Sequence, residues 1–109
     1  MALITRLAGF SGASAVGAAA YRAHGLNDLD PALKKTFDNG NRMHLVHSVM
    51  LAVCPTLKRP LASGALFFTG TAIFSGSCYA AALSGDRANG KLAPIGGSTL
   101  ILGWLSLVL

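Results

Sequence analysis

The chain has 109 residues, 52% hydrophobic and 12% charged, a charged share about half that of an average soluble domain. That length allows one domain, and such a composition excludes a separate soluble module beside it. The net charge of +5 comes from basic residues scattered between apolar runs, with no basic stripe and no aromatic-rich binding sheet. This excludes nucleic acid and favours membrane lipids, anionic headgroups among them, as partners.

Leu3–Tyr21 is rich in Ala and Gly and broken only by Arg6. Its length and the Ala18–Ala20 run have the look of a secretory signal, and the absence of acids before Asp28 is a bias shared with mitochondrial targeting segments. The segment is read as a first span, kept thin by Gly9, Gly12 and Gly17. Arg22–Arg42 is the long polar stretch and holds three of the four acids. Asp30–Pro31 predicts a helix start, with Asp as N-cap and Pro in the first helical position. Leu33 and Phe37 then share a face that Lys34, Lys35 and Asp38 avoid. This predicts a short amphipathic helix lying on the membrane before the second span, Met43–Leu57. Pro55 and Lys58–Arg59–Pro60 end that span in a tight turn.

Leu61–Leu83 follows, 23 residues without an ionisable acid or base. As a helix it rises ~34 Å, enough to cross a hydrocarbon core of about 30 Å. At about 100° per residue, Ala65, Thr69, Ala72, Gly76 and Ala80 form one stripe, the small-residue pattern of a helix–helix seam. Phe67 and Phe74 fall elsewhere and suit lipid or a wider groove. Ser75 and Ser77 can return their hydroxyls to the preceding turn. Ser84–Lys91 is a second polar loop, and Leu92–Leu109 gives eighteen uncharged residues for a fourth span. The expected architecture is all-α: a four-helix transmembrane bundle with both termini on the same side. The polar loops carry Arg22, Lys34, Lys35, Arg42, Arg87 and Lys91 against Arg6, Lys58 and Arg59 opposite. The positive-inside tendency turns those loops toward cytosol or matrix.

This threading predicts that His24, His44, His47 and Tyr79 gather at one membrane face. His44 and His47, spaced i,i+3, share a helix face. Ionisable groups at membrane depth are costly, which marks the cluster as a functional candidate. Converging imidazoles suit a metal or haem, yet no cysteine or glutamate joins them. Histidine also handles protons near neutral pH, yet no buried carboxylate carries a proton onward. The expectation is an interfacial tie between the long loop and the bundle, with no metal and no cofactor. Arg87 and Lys91, just before the fourth helix, are candidate contacts for a lipid phosphate. Cys54 and Cys78 fall roughly 25 Å apart in a hairpin of the second and third spans, which predicts two free thiols. No nucleophile elbow, phosphate-binding loop or carboxylate pair occurs, and Ser75–Gly76–Ser77 lies inside a span, so no enzyme is expected.

Several stretches together resemble one family. They are Ala23-His24-Gly25, Asn41-Arg42-x-His44-x-x-His47-Ser48, and Phe74-Ser75-Gly76-Ser77-x-Tyr79 with Ala82-Leu83-Ser84-Gly85. Leu92-Ala93-Pro94-Ile95-Gly96-Gly97 with Gly103-Trp104 completes the set. The chain is similar, over nearly its whole length, to the small multi-pass family of animal transmembrane protein 256 and its bacterial inner-membrane relatives. The paired histidines look like the animal branch; the bacterial branch is expected to carry an aromatic at the first. The resemblance implies four spans and residence in the mitochondrial inner membrane, and it brings no activity, substrate or cofactor.

The expected role is a structural or accessory subunit docking on other membrane helices, in a respiratory-type assembly. The alternative is an oligomeric carrier or channel for a proton or small solute, working through His24, His44 and His47. A third reading is a redox subunit binding haem or quinone.

Overall fold

A computed structural model describes residues 2–109, and among them all regular structure is helical. The first helix, α1, spans Ala2–Gly25 and the second, α2, Pro31–Val53. Asp30 caps α2 as expected: its carboxylate accepts the Ala32 amide at 3.1 Å, and Pro31 sits where no amide is missed. A 3-10 turn at Cys54–Thr56, built around Pro55, leads into α3, Pro60–Ser84. Gly85, at φ 74°, closes α3 in the left-handed conformation that favours glycine. A second 3-10 turn, Arg87–Gly90, precedes α4, Ala93–Leu105.

Two expected boundaries move. The amphipathic surface helix and the second span form one continuous element, because Gly40 does not break α2. The missing side chain there admits α3 instead: a Cβ on Gly40 would lie 2.5 Å from the Cβ of Cys78. The fourth helix is shorter than the stretch expected to span. α4 holds 13 residues, a rise of about 20 Å, and the chain leaves it in turns after Leu105. Among the described residues, α1 and α3 are the two helices long and apolar enough to cross a membrane.

The order in space follows the order in sequence: α1 packs on α2, α2 on α3, and α3 on α4. No extended seam joins α1 to α3, α2 to α4 or α1 to α4, so the ring of helices stays open. Ile4 at the start of α1 packs against Gly64 and Cys54, beside the α2–α3 turn. Lys58 in that turn donates to the Leu109 carbonyl at 3.4 Å. Both chain ends therefore lie at one end of the bundle, and the two polar loops at the other. Ile4, Ala8, Leu51, Cys54, Phe67 and Leu100 form a core drawn from all four helices, toward the α2–α3 turn.

The α3–α4 seam shows how this apolar chain packs without a hydrophobic drive between helices. Ser63 and Ser106 meet hydroxyl to hydroxyl at 2.7 Å. Along the seam Phe67 lies over Gly103, Leu100 over Gly70 and Phe74 over Gly96. A Cβ on Gly96 would run into the Phe74 backbone, whose Cα is 2.8 Å away. Each glycine thus removes the atom that would hold the backbones apart, and dispersion contacts fill the gap.

Phe67, expected to face lipid or a wider groove, is fully buried in this seam and so does not face lipid. The stripe that packs inside the chain runs through Ser63, Phe67, Gly70 and Ser77, while Ala65, Thr69, Ala72, Gly76 and Ala80 all lie exposed. A small-residue pattern marks a face that admits a close neighbour, and α3 carries two such faces. The larger rings on the first settle which one meets α4.

Ser75 also departs from expectation. Its hydroxyl donates across the α2–α3 interface to the Gly40 carbonyl at 2.7 Å. The glycine brings that carbonyl within reach. Cys54 and Cys78 are both free and buried, the first in the turn and the second against Gly40.

Candidate functional site

With the ring open, a lateral groove of about 520 Å³ runs between α1 and α3, floored by α2. Its walls are apolar, including Leu7, Phe10 and Phe68, and on its floor polar side chains of three helices meet.

The partners dictate where the protons lie. Asn41 donates to the Ala15 carbonyl at 2.8 Å and to the Tyr79 hydroxyl oxygen at 3.1 Å. Tyr79 lies 2.9 Å from Nδ1 of His44, and Nε2 of His44 lies 3.3 Å from the Ser14 hydroxyl. Ser14 spends its own proton on the Ser11 carbonyl at 2.9 Å, so it can only accept from His44. The neutral imidazole of His44 therefore carries its proton on Nε2, and Nδ1 accepts from Tyr79. Ser48 donates to the His44 carbonyl at 2.6 Å, which makes Ser11 the donor in the 2.6 Å contact between the two hydroxyls. The result is a directed chain from Asn41 through Tyr79 and His44 to Ser14.

His47 has the opposite tautomer. Nδ1 donates to the Met43 carbonyl at 2.7 Å and Nε2 accepts the Trp104 indole N–H at 3.0 Å. Its ring packs edge-on to Trp104 and near Phe67, with centroids 5.8 Å away from each. Both nitrogens are thus committed, and no lone pair is left for a ligand. The i,i+3 spacing turns the two imidazoles into different neighbourhoods, His44 toward α1 and His47 toward α4.

The expected four-residue cluster accordingly divides. His44 and Tyr79 are brought together. His24 is exposed at the far end of α1, ten residues from Ser14 and so about 15 Å along the axis. His44 bonds Ser14 at the midpoint of α1, which puts it halfway along that helix and not at its end. The cause is the early start of α2: thirteen residues precede His44 in that helix. Among the described residues no three His, Cys, Asp or Glu side chains gather as a metal-ligand set. Arg87 and Lys91 are exposed around the 3-10 turn, where the Asp86 carboxylate caps the Ala88 amide at 2.9 Å.

The sequence reading passed over Asn41, Ser11, Ser14, Ser48 and Trp104 as members of the network. One signal was available: Asn41, His44 and Ser48 recur at helical spacing and form a polar stripe on α2. Ser11 and Ser14 carry no such mark, since lone serines in an apolar span usually bond their own helix.

Fold and site together define a small multi-helix membrane protein with a polar floor in a lateral groove. Residues 18–97 match a family model described as "Protein of unknown function (DUF423)", and the chain belongs to that family. It is 36% identical to a UPF0382 membrane protein of Staphylococcus epidermidis, over 87% of this chain and 83% of the relative. A UPF0382 membrane protein of Schizosaccharomyces pombe is 31% identical over 96% of this chain and 98% of its own length. The UPF0382 membrane protein YwdK of Bacillus subtilis is 31% identical over 86% and 83%. No solved structure matches the chain. The resemblance to a family with bacterial inner-membrane members stands.

Proposed function

We propose that this small membrane protein is an accessory subunit that seats helices of other membrane proteins against α1 and α3. One observation carries this reading. Gly40, Gly64, Gly70, Gly96 and Gly103 each have a neighbouring helix or side chain within 3.4 Å of a notional Cβ, whereas Gly9, Gly17 and Gly76 have nothing within 4 Å. Gly9, Ala13 and Gly17 recur every fourth residue on the exposed side of α1, and Ala72, Gly76 and Ala80 do so on α3. Five helical glycines thus mark close crossings within the chain, and these three are open to a partner from outside. Gentle solubilisation followed by native electrophoresis tests the reading: the protein should co-migrate with a large complex. A variant with Gly9→Ile and Gly17→Ile should lose the co-migration while keeping its helical content.

The placement in a respiratory-type assembly of the mitochondrial inner membrane belongs to the same reading. It is supported by the acid-free stretch before Asp28 and by the paired histidines. Recovery of the protein in another membrane on fractionation would remove it. Anionic lipid at Arg87 and Lys91 is a further part, supported by their exposure beside the polar loops, and charge reversal at Lys91 should reduce retained lipid in native mass spectrometry.

A second reading, an oligomeric proton or solute carrier, draws on the position of His44 halfway along α1. Against it, the hydrogen-bond chain ends on the backbone carbonyls of Ala15 and Ser11 and continues to neither face. A small homo-oligomer on the native gel, with no larger complex, would favour this second reading.

A further inference from the structure

We propose that the groove between α1 and α3 binds a neutral, lipophilic molecule carrying a carbonyl oxygen, which accepts a hydrogen bond from Nε2–H of His44. The argument begins with size. A packed helix is about 10 Å across and needs a long trough, whereas about 520 Å³ lies in the range of small-molecule sites, roughly 300–1,000 Å³. Apolar walls with a few convergent polar groups are the usual composition of such sites. Neutrality follows from the lining, which contains no Lys, Arg, Asp or Glu to balance a charged head there.

The acceptor character follows from the proton assignments. Asn41, Tyr79, Ser14 and Ser75 all spend protons on short protein contacts. Two donors on the groove do not. Nε2–H of His44 has a 3.3 Å contact to Ser14, longer than a well-formed N–H···O bond, with the Ser11 carbonyl beside it as a second acceptor. Thr71 lines the same groove at 7% exposure, and its hydroxyl is buried without any hydrogen-bond partner. A helical threonine normally returns that proton to its own helix, so the orphan is an independent sign that a partner is missing. The groove thus offers surplus donors and wants an acceptor. A carbonyl on a hydrophobic tail supplies it, from either a ring ketone or a lipid ester.

Binding is measured on the full chain in nanodiscs with three probes: a decyl-substituted benzoquinone, a diacylglycerol, and decylbenzene, which lacks any oxygen. The 15N signals of the His44 imidazole report contact. One of the two carbonyl probes should bind saturably and shift the His44 signals, and which one does distinguishes a ring ketone from an ester. Decylbenzene should bind at least tenfold more weakly. His44→Phe should weaken the carbonyl probe about tenfold and Thr71→Val by severalfold, with decylbenzene unaffected. Ser14→Ala gives the sign that no structural role would produce. It removes one of the two acceptors that compete for Nε2–H, so affinity should rise. If neither carbonyl probe binds, if decylbenzene binds as tightly, or if Ser14→Ala weakens binding in a protein that keeps its fold, the proposal is overturned.

Discussion

α1 and α4 flank the same α2–α3 hairpin but are attached to it by different chemistry. α4 is held chiefly by shape: Gly70, Gly96 and Gly103 alternate with Leu100, Phe74 and Phe67 across the seam, and the Ser63–Ser106 and Trp104–His47 hydrogen bonds add to it. α1 is held by hydrogen bonds, through Asn41 to the Ala15 carbonyl, Ser11 to Ser48, His44 to Ser14, and the Arg22–Asp38 ion pair at 3.0 Å. A glycine interlock tolerates no added atom anywhere along its length. Interhelical hydrogen bonds in bilayers each contribute about 0.6 kcal/mol on average, and losing one leaves the rest in place. The comparison makes α4 a fixed part of the hairpin and α1 the helix that can shift, which suits a groove that opens along α1.

The largest effect expected from breaking the difference is at Gly96. Gly96→Ala drives a methyl into the Phe74 backbone, which cannot turn aside as a flexible side chain would. Overpacking against backbone should cost about 3 kcal/mol. Titration with a denaturing detergent should show the loss in tertiary signals, with α4 separating first. If Gly96→Ala unfolds at the wild-type midpoint, the interlock is not what holds α4.

Asn41→Leu comes next and acts on the other attachment. It strips the Ala15 carbonyl and the Tyr79 oxygen of their shared donor, and should cost about 1–2 kcal/mol. The sharper readout is local: amide exchange should rise in α1 around Ala15 and stay unchanged in α4. Uniform loosening of both helices would erase the distinction. Smaller again is Trp104→Phe, which keeps the ring contact with Phe67 but removes the indole N–H from His47. About 1 kcal/mol is expected, with an altered Nε2 signal at His47 and none at His44.

The same contrast explains what could be read from the sequence. The four helices, the Asp30–Pro31 start, the Pro55 turn and the shared location of the chain ends all follow from apolar run length and local helix signals. The α3–α4 seam did not, because both faces of α3 carry small residues at helical spacing. Only the partner's surface decides that Phe67 turns inward and Ala65 outward. The site was half legible. His44 and Tyr79 stood out as polar groups in apolar surroundings, but their depth depended on where α2 begins. Asp30–Pro31 marked that start, but the sequence did not show that the helix runs unbroken from there through Gly40, which serves as a crossing. Tautomer assignments such as those of His44 and His47 depend on contacts across helices, which spacing within one helix does not encode.

The smallest expected effect is at Gly76, where the same substitution as at Gly96 should have the opposite sign. A Cβ on Gly76 meets nothing within 4 Å, so Gly76→Ala adds no clash in the isolated protein. It also reduces the freedom of the unfolded chain, and removing a mid-helix glycine is worth about 0.5 kcal/mol. Purified protein should therefore resist the detergent slightly better than wild type. In native membranes the reverse holds if another helix sits on that face, because the methyl would push it away and the large complex would lose the subunit. Gain in isolation with loss of association means that a glycine on this face is kept for a neighbour. Gain in both settings would leave the exposed stripe on α3 facing lipid alone, and the accessory role would then rest on α1.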